Sequence, residues 1–144
     1  MFNKSKNNWT NWHHIFHKSF LINKNFIPNG INLLISVSGG QDSMALMTLL
    51  NDIKEHHNWS INVWHGNHQW HNKSEEFAEE LKNYCFKKKI IFYKDSADEI
   101  DISTEEKARE WRYQKLYETA SEICDSKENY KKLYVVTGHT STDN

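Results

Sequence analysis

Six consecutive residues, Ser38-Gly39-Gly40-Gln41-Asp42-Ser43, combine two glycines with two hydroxyls and an acid. Glycine lets a backbone pass close to a ligand because no Cβ intervenes, and the hydroxyls add hydrogen-bond donors. Set before a helix, such a loop faces an anion with unpaired N–H groups and the positive end of the helix dipole, so phosphate is its natural occupant. The dipole supplies only about 0.3–1 kcal/mol, so amides and a metal must carry the rest. The segment is neither GxxxxGK[ST] nor GxGxxG, and therefore belongs to a different nucleotide chemistry from those loops. The plainer alternative is a glycine turn in which Asp42 or Ser43 caps the helix.

Two further groups stand out. His65, His68 and His71 recur at three-residue steps, but they leave a strand for a loop and have no cysteine cluster beside them, which argues against zinc. Glu105, Arg109 and Arg112 are spaced four and then three apart, on one face of a helix, where Arg109 can pair with Glu105. A solvated salt bridge of that kind contributes a few tenths of a kcal/mol. However, only these two of the 18 basic residues are arginine, the side chain suited to two-pronged recognition of phosphate or carboxylate.

The elements that must position these residues follow from periodicity. Ile31 to Val37 is an almost unbroken apolar run, as expected for a strand buried on both faces. From Asp42 onward Leu46, Leu49, Leu50 and Ile53 mark a helix lying on the sheet. A second strand is predicted at Ile61 to His65. It is followed by a helix with Asn72 as its N-cap and Phe77, Leu81, Tyr84 and Cys85 as its buried stripe. A third strand is predicted at Ile90 to Tyr93. Next comes a helix opened by a capping box, with Ser103 at the N-cap and Glu106 at N3, that reaches about Cys124; a fourth strand spans Leu133 to Thr137. This alternation predicts an α/β fold, a doubly wound parallel sheet whose ligand crevice lies beyond the carboxyl ends of the strands.

Composition sets the outer limits. The 144 residues accommodate one domain with a real core, and 19 aromatic residues, six of them Trp, exclude a disordered chain. A net charge of −1 excludes a general polyanion clamp. Residues 1–41 nonetheless carry Lys4, Lys6, Lys18 and Lys24 without one acid, giving a basic and aromatic segment (residues 1–30) ahead of the nucleotide-binding domain (residues 31–144). Trp9, Trp12, Phe16 and Phe20 predict a short amphipathic helix there, ending at Pro28-Asn29-Gly30 and covering a sheet edge. Cys85 and Cys124 form no CxxC pair and read as reduced core thiols. No apolar run reaches about 18 residues and no signal segment is evident, so a cytoplasmic protein away from membranes is expected.

SGGQDS after a buried strand resembles the PP-loop of the N-type ATP pyrophosphatases, with their Rossmann-like, adenine nucleotide alpha hydrolase-like fold. Three further segments are similar to those of the tRNA(Ile)-lysidine synthetase family: Trp64-His65-Gly66-Asn67-His68, Glu105 to Tyr113, and Thr137 to Asn144. The order and spacing agree across residues 33–144, and the chain stops where that family continues, so a fragment is expected. The resemblance implies a carbon–nitrogen ligase in which ATP adenylates the wobble cytidine of an isoleucine tRNA with a CAU anticodon. Free L-lysine then displaces AMP to give lysidine, with pyrophosphate as the other product.

Under the same resemblance, Ser38, Gly39, Gly40, Gln41, Asp42 and Ser43 hold ATP. His65, Asn67 and His68 line the crevice, and Asp42, Glu105, Arg109, Arg112, His139 and Asp143 serve catalysis. Asp42 and Asp143 are the implied Mg²⁺ contacts. Gln69-Trp70-His71 departs from the Gly-Leu-Arg-like run usual after this segment, so one expected arginine contact is lost. A homo-oligomer is left open. Two alternatives stand beside this reading: a PP-loop tRNA sulfur transferase, which would need catalytic cysteines, and a non-catalytic domain that binds adenine nucleotides.

Overall fold

A computed structural model describes residues 27–38, 41–67, 74–97, 103–125 and 132–137 of the chain. The elements run β1 (Asn32–Ser36), α1 (Gln41–His57), β2 (Ser60–Asn67), α2 (Ser74–Lys87), β3 (Ile91–Ser96), α3 (Glu105–Asp125) and β4 (Leu133–Thr137). The four strands form one parallel sheet in the order β3-β2-β1-β4. The first three strands step one way across the sheet and the fourth returns to the other side of β1. The connections therefore part between β1 and β4, the place where doubly wound sheets open a crevice.

Alternation along the strands sorts the core into two layers. Leu33, Ile35 and Val37 of the β1 segment and Ile61 and Val63 of β2 meet Met47, Leu50 and Ile53 of α1 and Leu81 and Cys85 of α2. Leu34 and Trp64, offset by one residue, point the other way and meet Ala108, Trp111, Leu116 and Ile123 of α3. β1 and β2 are buried on both faces, which is why the β1 segment reads as an apolar run instead of an alternating one. Each large apolar side chain withdrawn from water in these layers contributes roughly 1.5–3 kcal/mol.

The strands and helices predicted from residue 31 onward are present, with informative differences. β2 runs on to Asn67, two residues beyond the expected end at His65, so Gly66 and Asn67 belong to a buried strand and not to a loop. The cap of α3 is Thr104, not Ser103: its Oγ1 accepts the Lys107 N–H at 3.1 Å, and its carbonyl accepts from Ala108. Cys85 is buried as expected, whereas Cys124 is exposed near the end of α3 and is not a core thiol. The expected turn before β1 is there, with Gly30 at φ 71° and its N–H donated to the His57 carbonyl at 2.9 Å. Trp59, stacked on His57, secures that turn by donating its indole N–H to the Pro28 carbonyl. The expected helix within residues 1–26 and the Asn72 cap lie outside the described residues. No helix among the described residues is long and apolar enough to cross a membrane.

Candidate nucleotide-binding site

All four strands are parallel and end at the same edge of the sheet, where Ser38, Ser43, His65 and Asn67 lie. Ser38 follows the end of β1, and Ser43 lies in the first turn of α1. The Ser43 hydroxyl accepts the Ser38 N–H at 3.2 Å and stands 3.4 Å from the Ser38 hydroxyl. The two serines thus close the loop on itself, which fixes the first N–H groups of a 17-residue helix at the carboxyl end of the central strand. Such N–H groups have no partner within the helix and form an anion site. Gln41 and Asp42 belong to the first turn of α1. Gly39 and Gly40 lie outside the described residues.

His65 ties the second strand to this loop. Its Nδ1 lies 2.7 Å from the carbonyl oxygen of Val37, the residue before Ser38, and its ring meets Phe77 of α2 edge-on. A carbonyl only accepts, so Nδ1 carries the hydrogen, and in the neutral ring Nε2 is left as an acceptor. Burial holds the His65 pKa below the usual histidine value; the Val37 hydrogen bond works against that shift and Lys94 reinforces it. The ring is accordingly neutral near pH 7. Val37 is held from both sides, because its N–H also donates to the Trp64 carbonyl at 2.9 Å.

Asn67, the last residue of β2, is buried and donates its Nδ2–H to Glu75 Oε1 at 2.7 Å. Its backbone carbonyl accepts from the Ala97 N–H at 2.9 Å. Between His65 and Asn67, Gly66 leaves room for two tryptophans. A Cβ there would lie 2.6 Å from Trp64 Cη2 and 3.0 Å from Trp111 Cζ3. Trp64 is anchored by its indole N–H, which donates to Asp95 Oδ2 at 2.8 Å. The Trp64–Trp111 contact seats α3 over the carboxyl end of β2.

That seating determines where the two arginines go. Arg112 follows Trp111 in α3 and is half-buried, whereas Arg109 is exposed with its guanidinium 5.6 Å from the centre of the Tyr113 ring. The ion pair expected from the spacing of Glu105 and Arg109 does not form. Lys94–Glu75 and Lys115–Glu118 do pair, whereas no ion pair among the described residues involves Glu105, Arg109 or Arg112. Glu105 sits at the first position of α3 and is exposed, while Arg109 leans toward the following turn. A half-buried guanidinium without a carboxylate partner is suited to an anionic ligand group.

His68, His139 and Asp143 lie outside the described residues; Ser38, Ser43, His65 and Asn67 stand at the strand ends, and Glu105, Arg109 and Arg112 lie on α3. No group of three or more His, Cys, Asp or Glu side chains able to hold a metal occurs among the described residues. Sequence reasoning missed Glu75, Asp95 and Trp111, which position the strand end and the arginine helix. Glu75 in particular looked like one more charge in an acidic run at the start of α2.

A family profile described as a PP-loop domain matches residues 13–144. The tRNA(Ile)-lysidine synthase of Prochlorococcus marinus subsp. pastoris is 58% identical over 142 residues, covering 99% of this chain and 42% of that protein. The protein of the same name from a second Prochlorococcus marinus strain is 45% identical over 127 residues, 88% of this chain and 39% of its own. A chloroplastic tRNA(Ile)-lysidine synthase of Pyropia yezoensis is 35% identical over 130 residues, 88% of this chain and 37% of its own. The chain spans about two fifths of the length of these relatives. With the loop after β1, the parallel order β3-β2-β1-β4 and the profile in agreement, the chain belongs to the PP-loop domain family.

Proposed function

We propose that the site binds MgATP and serves the ligation of L-lysine to the wobble cytidine of an isoleucine tRNA. The observation that carries this reading is the Ser38–Ser43 loop, closed by its own hydroxyl at the head of α1 and next to the β1/β4 parting of the sheet. The relatives' shared name, tRNA(Ile)-lysidine synthase, supports this choice among the chemistries a PP-loop can serve.

In this mechanism the phosphates of ATP lie against the N–H groups that follow Ser38 at the head of α1, and Arg112 faces an anionic group of a substrate. The cytidine carbonyl oxygen attacks the α-phosphorus and pyrophosphate leaves. The lysine side-chain amine then attacks the ring carbon, AMP departs with the former carbonyl oxygen, and the amine gives up a proton. Asp42 and Asp143 would hold Mg²⁺, which would supply charge neutralisation for the pyrophosphate leaving group. Holding the reacting groups in line and aiming donors at developing charge is the protein's contribution. His65 holds the end of β1 through Val37, and Glu105 and Arg109 complete the helix that presents Arg112. The proposed location is the cytoplasm.

The sulfur-transfer alternative finds no support. Cys85 is buried with its thiol pushed up to about 11, and Cys124 stands at the far end of α3. The deciding assay is ATP-dependent incorporation of labelled lysine into unmodified isoleucine tRNA, using the full reading frame that encodes this chain and quantifying AMP and ADP. Incorporation matched by AMP and abolished in Asp42→Ala is the expected result. ADP instead of AMP, or no incorporation, refutes the proposal.

A further inference from the structure

We infer that Glu75 is a positioning residue for the nucleotide crevice, acting through Asn67; this rests on the crevice reading above. Glu75 occupies the first turn of α2, a helix that otherwise only covers the sheet, yet its carboxylate reaches back to the last residue of β2. One oxygen accepts the Asn67 Nδ2–H at 2.7 Å, and the other stands 4.0 Å from Lys94 Nζ on β3. Because a carboxylate can only accept, this contact sets which end of the Asn67 carboxamide is nitrogen, and so fixes the orientation of the whole group. The contact is charge-assisted and short, whereas the Lys94 pair is long and its partners are solvent-exposed. Asn67 is buried opposite Ser96 of β3, its carbonyl bound by Ala97 and its carboxamide by Glu75, so both groups at the strand end are held from the α2 and β3 side.

Glu75 could instead act only through its charge, by favouring the N-terminus of α2 or pairing with Lys94. Substitution separates these roles. Gln keeps an acceptor oxygen for the Asn67 amide but loses the charge, and Ala loses both. If Glu75 positions Asn67, Glu75→Gln binds ATP within about twofold of the parent while Glu75→Ala binds roughly tenfold more weakly, the scale expected for one hydrogen bond to a charged group. Lys94→Gln should leave affinity unchanged.

A ligand-free arm follows the Asn67 side-chain NH₂ resonances, identified by their loss in Asn67→Asp. They should keep their position in Glu75→Gln and move in Glu75→Ala. Equal loss of affinity in Gln and Ala, an equal loss in Lys94→Gln, or unmoved NH₂ resonances in Glu75→Ala would each overturn the inference. Absence of ATP binding in the parent chain, with the resonances behaving as described, would uphold the positioning role and refute the nucleotide reading instead.

Discussion

Replacing Gly66 with alanine tests whether the arginine helix is seated by tryptophan packing. The added methyl would meet Trp64 Cη2 at 2.6 Å and Trp111 Cζ3 at 3.0 Å, both inside ordinary contact. Neither ring yields easily. Trp64 is 1% exposed and held by Asp95, and Trp111 lies between α3 and the sheet. Relief therefore requires α3 to lift, and overpacking of this kind costs about 2 kcal/mol, roughly thirtyfold in the folding equilibrium. With a urea dependence of about 1–3 kcal/mol per molar, the unfolding midpoint followed by far-ultraviolet circular dichroism should fall by roughly 1 M. The nearest colliding atom, Cη2, belongs to the six-membered ring of Trp64, so in a Trp64→Phe background the same alanine should cost less than in the parent. An unchanged midpoint in Gly66→Ala, or strictly additive losses in the double variant, would refute the packing argument.

Other outcomes follow from individual contacts. Burial keeps the folded His65 pKa below the usual 6.5, so below that pH the unfolded chain takes up a proton that the folded chain refuses, and stability falls with pH. His65→Gln should therefore shrink the difference in unfolding free energy between about pH 7.5 and about pH 5.5, and an unchanged difference would contradict the assignment. Iodoacetamide near pH 7 should label Cys124 in the native chain and spare Cys85, whose thiol is buried and raised to about 11, with both reacting once the chain is unfolded. Thr104→Ala should destabilise the chain by about 1 kcal/mol in the same urea assay, and Ser103→Ala should leave it nearly unchanged.

The scaffold was legible in the sequence where burial is two-sided. Leu33 to Ile35 and the α1 stripe of Leu49, Leu50 and Ile53 read directly because apolar side chains carry the pattern. The last part of β2 was not legible. His65, Gly66 and Asn67 are polar or small, yet they are buried because Val37, the tryptophans and Glu75 each supply a partner that no local pattern announces. The α3 cap was displaced by one residue because Ser103 and Thr104 are equally able to accept, and only the phase of the helix decides between them. The expected Glu105–Arg109 bridge failed for a similar reason: spacing makes a pair available, while the open first turn and the Tyr113 ring draw the guanidinium the other way. Glu75 could not be told from its acidic neighbours, since its significance lies in a strand end eight residues earlier.

The placement of β1 between β2 and β4 also sets a timetable for folding. Asn32 lies opposite Ser60 on one side and Leu133 on the other, so one neighbour is close in the chain and the second comes about a hundred residues later. During synthesis at roughly 5–20 residues per second, β2 is available several seconds before β4. Through that interval β1 presents an unpaired edge of buried-type residues, the feature most prone to wrong pairing. The loop after β1, built from Ser38, Ser43 and His65, is in place before that edge is covered, so the wait for β4 falls on a sheet whose nucleotide loop is already assembled.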